Sequence, residues 1–221
     1  MKLMDRIVKQ CRNPMGRLGR HVARSMNRHH SKVTRWGLSH VSINKNDTIL
    51  DVGCGGGRTI NTLTKRATEG KVYGIDYSKD SVKVARRVNK RFIEEGRVKI
   101  IQASVASLPF PDGSFDLVTA VETYYFWPDL INSLKEIRRV LKPGGRILLI
   151  NESYRHEKFE KRNAEWARLG DFTYHLPDEF RKFLEEAGYS SIRIDVLEKK
   201  NWIASWGKND KSSTELHVDC T

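Results

Sequence analysis

Four of the five residues from Gly53 to Gly57 are glycine, and they follow directly on an apolar run that carries one acid, Ile49-Leu50-Asp51-Val52. That order predicts a buried strand whose carboxyl end opens into a tight turn, then a helix starting near Arg58. Glycine serves where a turn takes positive φ and a ligand must touch bare backbone. The carboxyl end of a central strand is also where open α/β sheets bind their ligands. A second short apolar segment, Val72-Tyr73-Gly74-Ile75, closes on another acid, Asp76.

Two phosphate-binding readings of the loop fail on residue grounds. A P-loop needs a lysine followed by Ser or Thr after its last glycine, whereas this loop runs into Arg58-Thr59-Ile60. A dinucleotide turn, Gly-x-Gly-x-x-Gly/Ala, counted from Gly53 and Gly55 meets Arg58 at its third position. Asp51 beside the glycines also disfavours a pyrophosphate and suits a ligand with positive charge. Asp76, about 20 residues past the loop, is placed to accept hydrogen bonds from ribose hydroxyls.

Apolar and turn periodicity predicts strands at 48–52, 72–76, 98–102, 115–121 and 146–151. Helices are expected at 59–67, 80–95, 128–141 and 177–187, with two closing strands at 192–197 and 201–206. Strands alternating with helices demand an α/β fold, a mostly parallel sheet covered on both faces. Ahead of it, residues 3–12 suit a short amphipathic helix, broken by Asn13-Pro14-Met15-Gly16. A second helix from Arg17 carries Leu18, Val22, Met26, His29 and Val33 along one face.

Further motifs follow in order: Leu108-Pro109-Phe110, Phe115-Asp116-Leu117-Val118, and Glu136-Ile137-Arg138-Arg139-Val140-Leu141-Lys142-Pro143-Gly144-Gly145. With these the chain resembles the class I S-adenosylmethionine-dependent methyltransferases, most of all the ubiquinone/menaquinone-biosynthesis type and its small-molecule relatives. The resemblance runs over residues 46–145 and weakly on to 207. It implies a Rossmann-like, doubly wound, seven-stranded sheet with an antiparallel carboxy-terminal hairpin, and S-adenosylmethionine as cofactor. By the family pattern, Asp51, Gly53, Cys54, Gly55 and Gly57 surround the methionine half, Asp76 holds the ribose and Tyr77 lies beside the adenine. The family commonly places an Asp after the third strand for the adenine amino group; here Ser104 stands there, and the Val105 N–H is left to share that contact. A serine hydroxyl accepts a hydrogen bond without the charge assistance of a carboxylate.

The length suits one domain with a full core: an amino-terminal basic helical extension or lid (1–45), a methyltransferase domain (46–207) and a disordered tail (208–221). No run of about 18 apolar residues exists, so no span of a membrane is expected. Cys11, Cys54 and Cys220 have no metal-ligand spacing, and no metal is expected; a reduced, cytoplasmic protein is the simplest reading. Of the formal charge of +13, residues 1–35 supply +9, from ten basic side chains against Asp5 alone. The stripe Arg17, Arg20, Arg24, Arg28 and Lys32 reads as a solvated helix face, or as a surface for an anionic acceptor or membrane, or for nucleic acid.

Methyl transfer from a sulfonium expels a neutral thioether, so no acid need protonate the leaving group. A base is required only when the acceptor must lose a proton, and the catalytic candidates are Glu122, Tyr124, His156 and His175. Glu122 is expected more at the cofactor's methionine end, where its charge neutralises sulfonium or ammonium. The aromatic run Tyr124-Tyr125-Phe126-Trp127 follows the fourth strand, and Tyr154 lies in the polar connection 151–175, which the family resemblance implies as a cap over the acceptor. Met26 and His30, on the lid, complete the acceptor candidates with Tyr124, Tyr125 and Trp127. The expected acceptor is a small molecule; the alternatives are RNA or another macromolecule docked through the basic segment, and a non-catalytic cofactor-binding module.

Overall fold

The computed structural model describes residues 10–12 and 14–210. Its centre is one seven-stranded sheet of order β3-β2-β1-β4-β5-β7-β6. The strands are β1 (Thr48–Val52), β2 (Lys71–Asp76), β3 (Val98–Gln102), β4 (Phe115–Val121), β5 (Leu141–Asn151), β6 (Ser190–Leu197) and β7 (Trp202–Lys208). β1 runs parallel to both β2 and β4, and β4 parallel to β5. β7 is antiparallel to β5 and to β6, the expected terminal hairpin. Strand order reverses between β1 and β4, so the carboxyl ends of β1, β2 and β4 open a crevice there.

Side chains alternate across each strand, and the core divides accordingly. Leu50 and Val52 join Val118, Phe180 and Leu184 on one face; Ile49 joins Ile60, Leu63, Val72 and Leu148 on the other. Phe115 and Leu117, two residues apart, nevertheless face opposite clusters. The β4–β5 register shifts between them, which resets the alternation. Each fully buried aliphatic or aromatic side chain of this kind contributes about 1.5–3 kcal/mol.

The amino-terminal helices are α1 (Gly16–His29) and α2 (Ser31–Gly37). One helix was expected from Arg17 through Val33; the chain instead turns at His30, and α2 lies against β5 so closely that a Cβ on Gly37 meets Ile150 at 2.5 Å. Val22 and Val33 are buried as the apolar face requires, whereas Leu18 and His29 are exposed. Val33, Leu38 and Val41 share the core cluster of Ile49 and Ile150. Gln10–Arg12 are helical, and the rest of the helix expected at 3–12 lies outside the described residues.

Four other expectations shift. After α3 (Arg58–Arg66), the helix expected at 80–95 divides into α4 (Lys79–Val88) and α5 (Lys90–Glu94). Buried Asn89 causes the division, its Nδ2 donating to the carbonyls of Gly57 and Ala85. α6 (Leu130–Val140) starts after Asp129, whose carboxylate caps the Asn132 N–H at 3.0 Å, so Pro128 precedes the helix and does not open it. The connection 151–175 contains α7 (Glu160–Gly170), which sequence reading missed because it lacks a continuous apolar stripe; Trp166 is exposed. After α8 (Pro177–Glu186), β7 runs to Lys208, and Asn209 ties the chain to Leu141 through Nδ2 at 2.9 Å. Lys208–Asp210 therefore belong to the fold rather than to a tail; residues 211–221 lie outside the described residues. Among the described residues no helix is long and apolar enough to cross a membrane.

Candidate active site

The crevice holds two adjoining lobes. Asp51, the glycine loop, Met26, His30 and Glu122 line the first. Ser104, Val105, Trp127 and Pro128 line the second. Asp76, Tyr77, Gly53, Thr123, Arg12 and Phe126 border both.

β1 delivers Asp51 to the crevice almost fully buried, with the Thr119 hydroxyl of β4 donating to its Oδ1 at 2.7 Å. Burial pushes its carboxyl up to about 7; the Thr119 bond opposes that rise and the Asp76 charge adds to it. Gly53 takes φ +67°, and a Cβ there lies 2.3 Å from Thr123 Oγ1, so any side chain is strained and must displace Thr123. A Cβ on Gly55, by contrast, meets nothing within 4 Å, and Gly55 lines the first lobe: bare backbone faces free space for a ligand. Cys54 packs inward; its N–H donates to the Ile75 carbonyl, and burial with the charges of Asp76 and Asp51 drives its thiol pKa up. Cys54 also lines the first lobe, and a raised thiol pKa disfavours the nucleophilic thiolate.

Asp76 ends β2 with Oδ2 accepting from the Gly55 N–H at 2.8 Å and Oδ1 from the Ser78 N–H at 2.9 Å. Each oxygen keeps a lone pair for a further donor. Burial raises its pKa and these two bonds oppose the rise. Tyr77 is half-exposed and its hydroxyl bonds the Arg12 carbonyl. Ser104 Oγ accepts from the Ala106 N–H at 3.2 Å, which closes its own turn and leaves its O–H free to donate. Val105 is buried against the second lobe.

At the end of β4, Glu122 is a non-glycine residue at φ +55°. Its carboxylate accepts from the Tyr125 hydroxyl at 2.8 Å and from the Glu152 N–H. Burial pushes it up to about 7, against these bonds and the nearby Arg162 charge. Glu152 is pushed up to about 8, by burial first and then by Glu122. His30 is pulled down to about 4, by burial first and then by His29, so it is neutral at pH 7.

The acceptor candidates divide. Met26, His30 and Trp127 line the crevice, though Trp127 sits on the side of Ser104 and Val105. Tyr125 stacks on Phe172 at 4.4 Å and reaches the crevice only through Glu122. Tyr124 and Tyr154 are buried in the core, away from either lobe, because the turn Tyr124–Phe126 aims Tyr124 at Phe180. His156 caps its own turn, Nδ1 accepting from the Lys158 N–H, and His175 packs on Phe183 and pairs with Glu179 at 3.7 Å. Neither histidine lines the crevice.

Sequence reading missed Thr119, and placed Asn27 in the lid segment without the contact it makes. From α1, Asn27 Nδ2 donates to the Gly56 carbonyl at 2.9 Å and Oδ1 accepts from the Arg58 N–H at 3.3 Å, laying the helix across the glycine loop. Nothing local marks either residue; both matter through partners 29 and 68 positions away.

The cradle therefore fits S-adenosylmethionine: acids at the ends of two strands, exposed loop backbone and no lysine among the lining residues. Comparison with known proteins agrees. The family described as a methyltransferase domain matches residues 50–149. The uncharacterized methyltransferase YdaC of Bacillus subtilis is 30% identical over 142 residues, 63% of this chain and 76% of that protein. A Staphylococcus aureus demethylmenaquinone methyltransferase is 29% identical over 180 residues, 71% of this chain and 73% of it. A chain of the complex between the Haloferax volcanii Trm112 methyltransferase activator and a methyltransferase superposes with TM-score 0.74 at 20% identity, covering 96% of this chain and 99% of that one. For an S-adenosylmethionine-dependent methyltransferase from Aquifex aeolicus the TM-score is 0.68 at 21% identity, covering 86% and 97%. Motif, cradle and relatives converge, and the chain belongs to the S-adenosylmethionine-dependent methyltransferases.

Proposed function

We propose that the protein methylates a small-molecule acceptor held between α1 and the residues that follow β4. The observation that carries this is Asn27, which pins α1 across the glycine loop. The roofed recess beside it, bordered by Met26, His30, Glu122 and Phe126, suits a small ligand better than a nucleic-acid duplex. The similarity to demethylmenaquinone methyltransferase supports the same reading.

S-adenosylmethionine supplies an electrophilic methyl on a cationic sulfur. Around it, Asp51 and the backbone of Gly53 and Gly55 hold the methionine half, and the ionised Asp51 offsets positive charge. Asp76 orients the ribose hydroxyls, while Tyr77, Val105 and Ser104 flank the adenine. Because the thioether departs neutral, the protein's main task is alignment in a dry recess, and orientation of this kind contributes roughly 7–11 kcal/mol. Glu122, with a carboxyl near 7, accepts a proton at neutral pH from an acceptor that must lose one.

A second reading, a macromolecular acceptor such as RNA, has one observation in its favour. Arg17, Arg24 and Arg28 are exposed and lack an acidic partner among the described residues. Incubation with methyl-labelled cofactor and a fractionated lysate separates the two. Label is expected in a low-mass product; label confined to RNA or protein refutes the proposal.

A further inference from the structure

We propose that His29, His30 and Glu152 together bind one divalent transition-metal ion, of the Zn2+ or Co2+ type, at the mouth of the cofactor crevice. The two imidazoles come from the last residue of α1 and the residue that caps it. The carboxylate comes from the residue after β5. Both elements are tied to the crevice: Asn27 bonds α1 to the glycine loop, and the Glu152 N–H is held by Glu122. The three side chains therefore meet through tertiary structure and not through any spacing visible in the chain.

The distances suit coordination. His29 Nε2 lies 3.2 Å from Glu152 Oε2. Metal–nitrogen and metal–oxygen bonds of about 2.0–2.2 Å at a tetrahedral centre put donor atoms about 3.4 Å apart. One pair is thus already at ligand spacing. A donor atom of His30 lies within 4.8 Å of the other two. Closing that gap takes a shift of at most about 1.4 Å to reach the tetrahedral spacing, within the range of a small side-chain rotation. A histidine–glutamate hydrogen bond alone accounts for the first pair. It does not account for His30, whose ring nitrogens have no hydrogen-bond partner among the described residues.

The donor chemistry selects the ion. Two imidazoles and one carboxylate suit zinc, cobalt or nickel, whereas magnesium and calcium take oxygen sets. The His29 side chain is 72% exposed, so the remaining coordination positions face solvent and the crevice mouth. Three protein ligands with an open position is the arrangement of reactive rather than structural sites. Arg162 lies near Glu152 and competes with an ion for its charge. Metal binding at this point does not depend on what the acceptor is.

The test uses the full chain, stripped with a chelator, without cofactor or acceptor. Zinc is titrated by calorimetry and cobalt by visible absorption. One equivalent is expected to bind, with a cobalt ligand-field band. His29→Ala and Glu152→Gln should each weaken binding by more than the roughly 10-fold that losing an outer-shell partner costs. Affinity of His29→Ala for S-adenosylhomocysteine should stay unchanged, which excludes unfolding. His217→Ala and Cys220→Ser, in the carboxy-terminal segment, should bind as the parent does. Absence of stoichiometric binding overturns the proposal. So does binding that survives in His29→Ala and Glu152→Gln, or that is lost only in the His217 or Cys220 variant.

Discussion

Replacing Asp51 by asparagine separates what the buried carboxylate costs the fold from what it supplies to the cofactor. Burial holds this carboxyl at about 7 against an ordinary 3.8. The sign follows from linkage: the folded state binds the proton more tightly than the unfolded chain. The contribution to stability is therefore complete below about pH 4 and is lost as pH rises through about 7. Full ionisation costs the fold about 4 kcal/mol, since each tenfold gain in proton affinity on folding corresponds to about 1.4 kcal/mol. Asparagine stays neutral at every pH, and its Oδ1 still accepts the Thr119 hydrogen bond. The stability advantage of Asp51→Asn over the parent should thus widen by about 2–3 kcal/mol between pH 5 and pH 8. That is about 5–10 °C in Tm for a chain of this size. Cofactor affinity should fall by about 10- to 100-fold at pH 8, because a charge-assisted hydrogen bond is lost. Urea unfolding of the cofactor-free protein at both pH values reads the first effect, and calorimetry reads the second. A stability difference that does not change with pH, or an unchanged cofactor affinity, refutes the reasoning.

Asp76→Ala should weaken S-adenosylhomocysteine binding by about 10-fold or more in calorimetry, since a charged hydrogen-bond acceptor is worth about 1.5–3 kcal/mol. Gly53→Ala should destabilise the protein by about 1–3 kcal/mol for the positive φ alone, and more from the approach to Thr123. Denaturation of Gly53→Ala with and without Thr123→Gly separates the two contributions. Asn27→Ala removes two bonds between α1 and the glycine loop and should weaken cofactor binding by about 5- to 150-fold at about 0.5–1.5 kcal/mol per bond. Glu122→Gln should abolish a rise in methyl-transfer rate through about pH 7, measured with labelled cofactor at saturation; a profile identical to the parent's argues against a role for this carboxyl.

The fold and the cofactor were legible from short stretches of chain. Ile49–Asp76 holds two strands with the glycine turn and α3 between them within one local unit, so the loop and both acids are readable without any distant contact. Helix and strand boundaries failed where a side chain from another element intervened. Asn89 divides a helix because it bonds the carbonyl of Gly57. α7 escaped notice because its exposed surface includes the apolar Trp166, which blurs the periodicity. Of the aromatic run, sequence placed all four residues at the right edge of the sheet. Which of them face the crevice depends on the turn Tyr124–Phe126, whose first ring is taken up by Phe180.

By itself the sequence determined the α/β alternation, the position of the ligand crevice and the character of the cofactor, because strand period, glycine and acid act within a few residues of one another. Only the tertiary structure decided what surrounds the methyl end. There α1 folds back over the loop through Asn27, Glu122 meets Glu152, and two histidines from position 30 and its neighbour meet a carboxylate from the end of β5. Those groups are separated by up to about 120 residues of chain and are joined only when helix and sheet pack. Their pKa values depend on that packing too, since burial is the largest cause in each case.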